Sequence, residues 1–82
     1  MGARPHHLAE YKQMCQLLRA LRETAGLTQR ALAQRIGKPH SYVWKTEAAE
    51  RRIDPIEFVY WFTACDVNPE TAIRKVAALA RR

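Results

Sequence analysis

No stretch of this chain is apolar over the roughly 20 residues that a membrane-crossing helix needs. Its opening, MGARPHHLAEYK, lacks the apolar run of a secretory signal. The initial Met-Gly falls short of a myristoylation motif, because His6 stands where Ser or Thr is required. Cysteine is scarce. Cys15 and Cys65 lie far apart, with no CxxC and no His/Cys cluster at zinc spacing. Two small buried thiols in a reducing cytoplasm explain them better than a redox switch does. His6 and His7 alone supply too few ligands for a metal and read as part of a solvated tail. The chain also has no phosphate-binding loop, internal repeat, linker or strand-like alternation. Acidic residues are in the minority: eight Asp and Glu face 14 Lys and Arg, a formal net charge of +6 in 82 residues. That excess suggests a polyanionic partner, although composition alone does not separate nucleic acid from an acidic membrane surface.

What is present is enough for one small folded domain over residues 1–82, with 48% apolar and 27% charged residues. Punctuation divides it into five helices. In the first, residues 8–25, Tyr11, Cys15, Leu18, Leu21 and Ala25 recur at three- and four-residue steps, and Gly26 ends it. The second begins behind Thr28 as N-cap, turns Leu32, Ala33 and Ile36 inward, and stops at Gly37. The third follows with Pro39 at its first position and Val43 and Thr46 inward. Asp54, Pro55 and Glu57 form a capping-box start for the fourth, which runs to about Cys65 with Phe58, Trp61, Phe62 and Cys65 inward. Asn68 and Pro69 open the fifth, whose stripe is Ile73, Val76, Ala77 and Ala80. Residues 1–7 and 81–82 are expected to be loose.

The second and third segments are too short to be stable helices alone. They make sense packed steeply across the turn at Gly37, with small Ala33 permitting close approach and Val43 plugging the angle. This is helix-turn-helix logic, in which the second helix of the pair is presented outward.

The stretches LRALRETAGLTQRALAQRIG, SYVWKTE, ERRIDPIEF and DVNPE resemble the Xre family of helix-turn-helix regulators, the lambda repressor and Cro-like DNA-binding domains. The resemblance covers roughly Leu17 to Ile73 and implies an all-α fold, a compact five-helix bundle. It implies that Gln29 contacts phosphate or braces a recognition side chain. It places His40, Ser41, Tyr42, Trp44 and Lys45 at exposed positions of the recognition helix, and Lys38 near phosphate. Arg51 and Arg52 match a basic loop that grips the DNA backbone, and Arg22 and Glu47 match an ion pair tying the first helix to the third. Three positions depart from the family pattern. Ala49 replaces a usual glycine, so the third helix is expected to extend or its loop to be reshaped. Trp44 stands where a small polar residue is usual, and Thr46 replaces a core Ile or Leu.

Several residues keep two readings. Trp44 either meets a thymine methyl in the major groove or packs locally or on a protein partner. Arg30 and Arg35 serve either phosphate contact or solubility. Tyr60, with Val76 and Leu79, forms either a dimer interface or a surface where the tyrosine hydroxyl simply reaches water. Ser41 beside His40 is no nucleophile–base pair, since neighbours on a helix point about 100° apart.

The expected function is sequence-specific binding of double-stranded DNA by a homodimeric repressor of bacterial or phage origin, reading a palindromic operator in the cytoplasm, on the nucleoid. The alternatives are an antitoxin-like module with a protein partner, or a non-specific architectural DNA binder. No enzyme activity, cofactor, metal or small-molecule ligand is expected.

Overall fold

The computed structural model describes residues 8–81; the expectations for residues 1–7, including His6 and His7, and for Arg82 lie outside them. Among the described residues the chain forms α1 (Ala9–Thr24), α2 (Gln29–Ile36), α3 (His40–Glu47), α4 (Pro55–Ala64) and α5 (Pro69–Ala80), and no strand. The start signals act through their side chains. Thr28 accepts a hydrogen bond from the Ala31 amide at 3.0 Å. Asp54 accepts from the Glu57 amide at 2.8 Å while Glu57 accepts in return from the Asp54 amide at 2.9 Å, a complete capping box. Asn68 accepts from the amides of Glu70 and Thr71 at 2.8 and 3.3 Å. Pro39 is the residue before α3 rather than its first helical residue, with an extended ψ of 154° that turns the chain into the helix.

The first four helices end in one geometry. In each, an amide beyond the end bonds back to a carbonyl five residues earlier: Leu27 to Arg22, Lys38 to Ala33, Glu50 to Lys45, and Val67 to Phe62, at 2.8–3.1 Å. The turn needs a left-handed residue, and Gly26 and Gly37 supply it at φ 75° and 79°. At the other two ends Ala49 and Asp66 adopt it at φ 60° and 59°. The expectation that Ala49 would extend α3 or reshape its loop is therefore corrected: the backbone keeps the turn that a glycine would make, and the alanine carries the strain.

Burial holds these short helices together, since eight residues are too few for helix stability in water. α2 packs on α3 and α4, α1 on α3 and α5, and α4 on α5. Leu18, Leu32, Val43, Trp61 and Phe62 are fully enclosed, each worth about 1.5–3 kcal/mol for the larger side chains. The Trp61 indole N–H donates to the Leu18 carbonyl at 3.1 Å, so its one polar atom is satisfied inside. α5 lies one step round from its expected register. Ala72 is its buried residue, with Val76 and Leu79 packed behind it, while Ile73 is exposed. Positions 72, 76 and 79 form the face toward α1 and α4, and 73 lies about 100° away from 72.

Candidate nucleic-acid interface

α3 is held to the body of the protein at its C-terminal turn. Glu47, the last residue of α3, receives two bonds from the Arg22 guanidinium, at 2.6 and 3.1 Å, and a third from the Gln29 amide at 3.0 Å. Arg22 also donates to the Leu27 carbonyl at 2.8 Å, past the end of α1. The side chains of Arg22 and Glu47 are only 9% and 4% exposed, so three helices meet on a buried, bidentate ion pair. The bonds that Arg22 donates to Glu47 raise the Arg22 pKa above its already high ordinary value, against burial, and the guanidinium stays charged. Gln29 braces the carboxylate that anchors α3.

The outward side of α3 and the turn before it carry Lys38, His40, Ser41, Trp44 and Lys45, all exposed. Trp44 is 38% exposed, and the Lys45 ammonium lies 5.8 Å from its ring centroid. The cation and the indole thus present one combined surface. Beyond the helix, Arg52 is exposed and enters no hydrogen bond or ion pair among the described residues.

The resemblance places Tyr42 among the exposed reading positions, and the structure corrects this: it is 8% exposed and belongs to the core. Its ring lies 6.5 Å from that of Trp61, with the Lys38 ammonium 5.6 Å and the Arg51 guanidinium carbon 4.4 Å from its centroid. On a helix of two turns, positions 42, 43 and 46 share the inner face, and the Tyr42 ring packs there between Trp61 and Arg51. Its hydroxyl is buried near Glu57 and Arg51 without hydrogen-bond geometry to either, and burial pushes its pKa up to about 12. Arg51 is also turned inward, with Thr46, Tyr42 and Glu57 as its neighbours. Arg35 donates to the Ala64 carbonyl at the end of α4 at 2.8 Å, a helix-capping contact. Tyr11 carries a role that spacing did not signal: its hydroxyl donates to the Arg51 carbonyl at 2.8 Å and accepts from the Ile53 amide at 3.1 Å. Burial raises its pKa.

The expected patch of Tyr60, Val76 and Leu79 is also corrected. Val76 and Leu79 line a groove against α1 with Leu8, Tyr11 and Met14, whereas Tyr60 lines one between α2 and α4 with Ile36, Val59 and Thr63. Apart from Leu8 and Trp44, the exposed large apolar side chains among the described residues lie instead on α4 and the start of α5: Ile56, Val59, Tyr60 and Ile73. Burial pushes the Cys15 and Cys65 thiols up to about 11. Among the described residues no group of three His, Cys, Asp or Glu could hold a metal, and no helix is long and apolar enough to cross a membrane.

Residues 13–81 match the helix-turn-helix domain family. An XRE-family like protein from Pseudomonas syringae pv. tomato str. DC3000 is 42% identical, with a TM-score of 0.80 over 87% of this chain and 87% of that one. The restriction-modification controller protein C.AhdI from Aeromonas hydrophila is 32% identical, with a TM-score of 0.73 over 79% of this chain and 98% of that one. Comparison with curated proteins finds no match.

Proposed function

The chain belongs to the XRE family of helix-turn-helix DNA-binding regulators, and from that premise we propose that it is a homodimeric repressor that reads a palindromic operator with α3 in the major groove. The observation that carries the reading is the outward face of α3. Lys38, Lys45 and Arg52 offer cations for phosphate and base edges, and His40, Ser41 and Trp44 lie among them. The buried Arg22–Glu47–Gln29 cluster holds that face rigid, which base readout requires. The whole chain acts as one domain in the cytoplasm, without catalysis. The dimer forms through Ile56, Val59, Tyr60 and Ile73, because an apolar cluster of this kind marks a subunit contact and a two-fold axis matches a palindrome.

Selection of bound duplexes from a random pool tests this reading. A palindromic consensus supports it; uniform recovery of all sequences would make the protein a non-specific binder. The same apolar cluster favours a second reading, an antitoxin-like module that seats a different protein there. That reading predicts a stoichiometric heterocomplex on purification from the native host and a monomer when the chain is made alone.

A further inference from the structure

We infer that Arg51 is a positioning residue for the reading helix and not a phosphate contact: with Thr46 and Glu57 it sets the angle between α3 and α4. The inference rests on the DNA-binding reading above and deepens it.

The guanidinium of Arg51 is half-buried, and both of its terminal nitrogens are engaged within the protein. One terminal nitrogen donates to the Thr46 hydroxyl at 3.2 Å, and the other donates to both Glu57 oxygens at 3.1 and 3.4 Å. Its flat face lies on the Tyr42 ring, 4.4 Å from the centroid. Its own carbonyl is held by Tyr11 of α1. A phosphate approaching this cation also approaches the Glu57 carboxylate, which cancels the charge that would attract it. Arg52, one residue on, has no such partner among the described residues.

The network also accounts for Thr46, where the resemblance led us to expect an aliphatic residue. The Thr46 hydroxyl donates to the Tyr42 carbonyl at 2.7 Å and accepts from Arg51. An aliphatic side chain would take the Thr46 acceptor away from the half-buried guanidinium and leave its position set by Glu57 and the Tyr42 ring alone. On the α4 side, Glu57 is shared between Arg51 and the capping box of its own helix. So α3 is fastened twice, through Glu47 to α1 and α2, and through Thr46 and Tyr42 to the first turn of α4. α4 also carries Ile56, Val59 and Tyr60 of the proposed subunit contact. Its angle to α3 therefore sets where the two reading helices of a dimer lie relative to each other.

The test compares Arg51→Gln, Glu57→Gln and Thr46→Val with the parent chain, against the selected operator and a scrambled duplex across a salt series. Gln at position 57 keeps a capping box, and Val at 46 keeps the volume, so folding is preserved. All three should bind the operator at least about tenfold more weakly, with no comparable loss on the scrambled duplex and no drop in the salt slope. Glu57→Gln discriminates most, because removing a negative charge should by itself strengthen DNA binding. The inference is overturned if Glu57→Gln binds as tightly as the parent or more tightly. It is equally overturned if Arg51→Gln weakens both duplexes alike and lowers the salt slope by about one per subunit. Amide spectra of the free protein separate this from failure of the DNA-binding reading. The amides of Tyr42, Trp44 and Thr46 should shift in Glu57→Gln, and unchanged α3 amides would overturn the inference whatever the protein binds.

Discussion

Arg22 and Glu47 carry the largest single commitment at the residue scale. Each is nearly sealed from water, so neither can lose its partner and recover hydration. Removing one member of a buried pair costs about 3–5 kcal/mol, because the other charge stays buried and unpaired. Arg22→Ala and Glu47→Ala should each lose about that much in urea unfolding, and the double variant should lose much less than their sum. Strict additivity would mean that the two charges do not stabilise one another. The thiols give a different handle. Burial raises Cys15 and Cys65 from an ordinary 9 to about 11, so the folded chain keeps protons that the unfolded chain has lost. Their contribution is complete below pH 9 and falls as pH rises from 9 toward 11. Urea midpoints across that window should fall, and a Cys15→Ala/Cys65→Ala variant should show a shallower fall. A profile identical in the two proteins would assign the alkaline loss to other groups.

At the scale of the element, the helix ends are the informative feature. Four helices stop in the same left-handed turn, and two of them do so without glycine. A left-handed alanine costs about 1–2 kcal/mol, and the greater freedom of an unfolded glycine takes back about 0.5–1 kcal/mol. Ala49→Gly should therefore stabilise the fold by about 0.5–1 kcal/mol and raise the melting temperature by a few degrees. A lower melting temperature would show that the alanine methyl, packed against the core, outweighs the strain. The five helices, and the stops at Gly26 and Gly37, were legible in the sequence because caps, prolines and glycines act on backbone groups within four or five residues; the stop of α3 was not, since Ala49 keeps a turn that its residue type disfavours. Side-chain direction on the eight-residue α3 was not. Two turns are too few to fix the width of the inner face, and Tyr42 lay on its edge.

For the whole molecule, charge and symmetry make the predictions. If each subunit neutralises about three phosphates, Lys38 and Arg52 among them, a dimer meets about six, and log K against log salt should have a slope near −5. Within that total the roles separate. Arg52→Ala should weaken operator and random duplex alike, while Lys45→Ala should cost about 1–3 kcal/mol on the operator and relax preference at one base pair per half-site. Unaltered base preference in Lys45→Ala would move the reading to His40, Ser41 or Trp44. Tyr60→Asp should convert the proposed dimer to a monomer in sedimentation and abolish tight binding to paired half-sites, whose centres are expected about 10 base pairs apart. A dimer that survives Tyr60→Asp would place the interface elsewhere.

Sequence alone determined the all-α class, the five segments and the helix-turn-helix order, because periodicity and capping are properties of short contiguous stretches. Resemblance added the likeness to a family of DNA regulators and pointed to Arg22 with Glu47, residues 25 positions apart that no local pattern connects. Only the tertiary structure decided which way ambiguous side chains turned. Arg51 reads as a free cation in ERRIDP, yet its partners come from α3 and α4, and the loop carrying it is held by Tyr11, 40 residues earlier. Tyr60, Val76 and Leu79 read as one apolar patch late in the chain, yet helix packing puts them on different grooves. The physical reason is common to both cases. The direction of a side chain on a helix follows from its neighbours in sequence, but its surroundings follow from where other helices dock, and that is settled by burial across the whole chain.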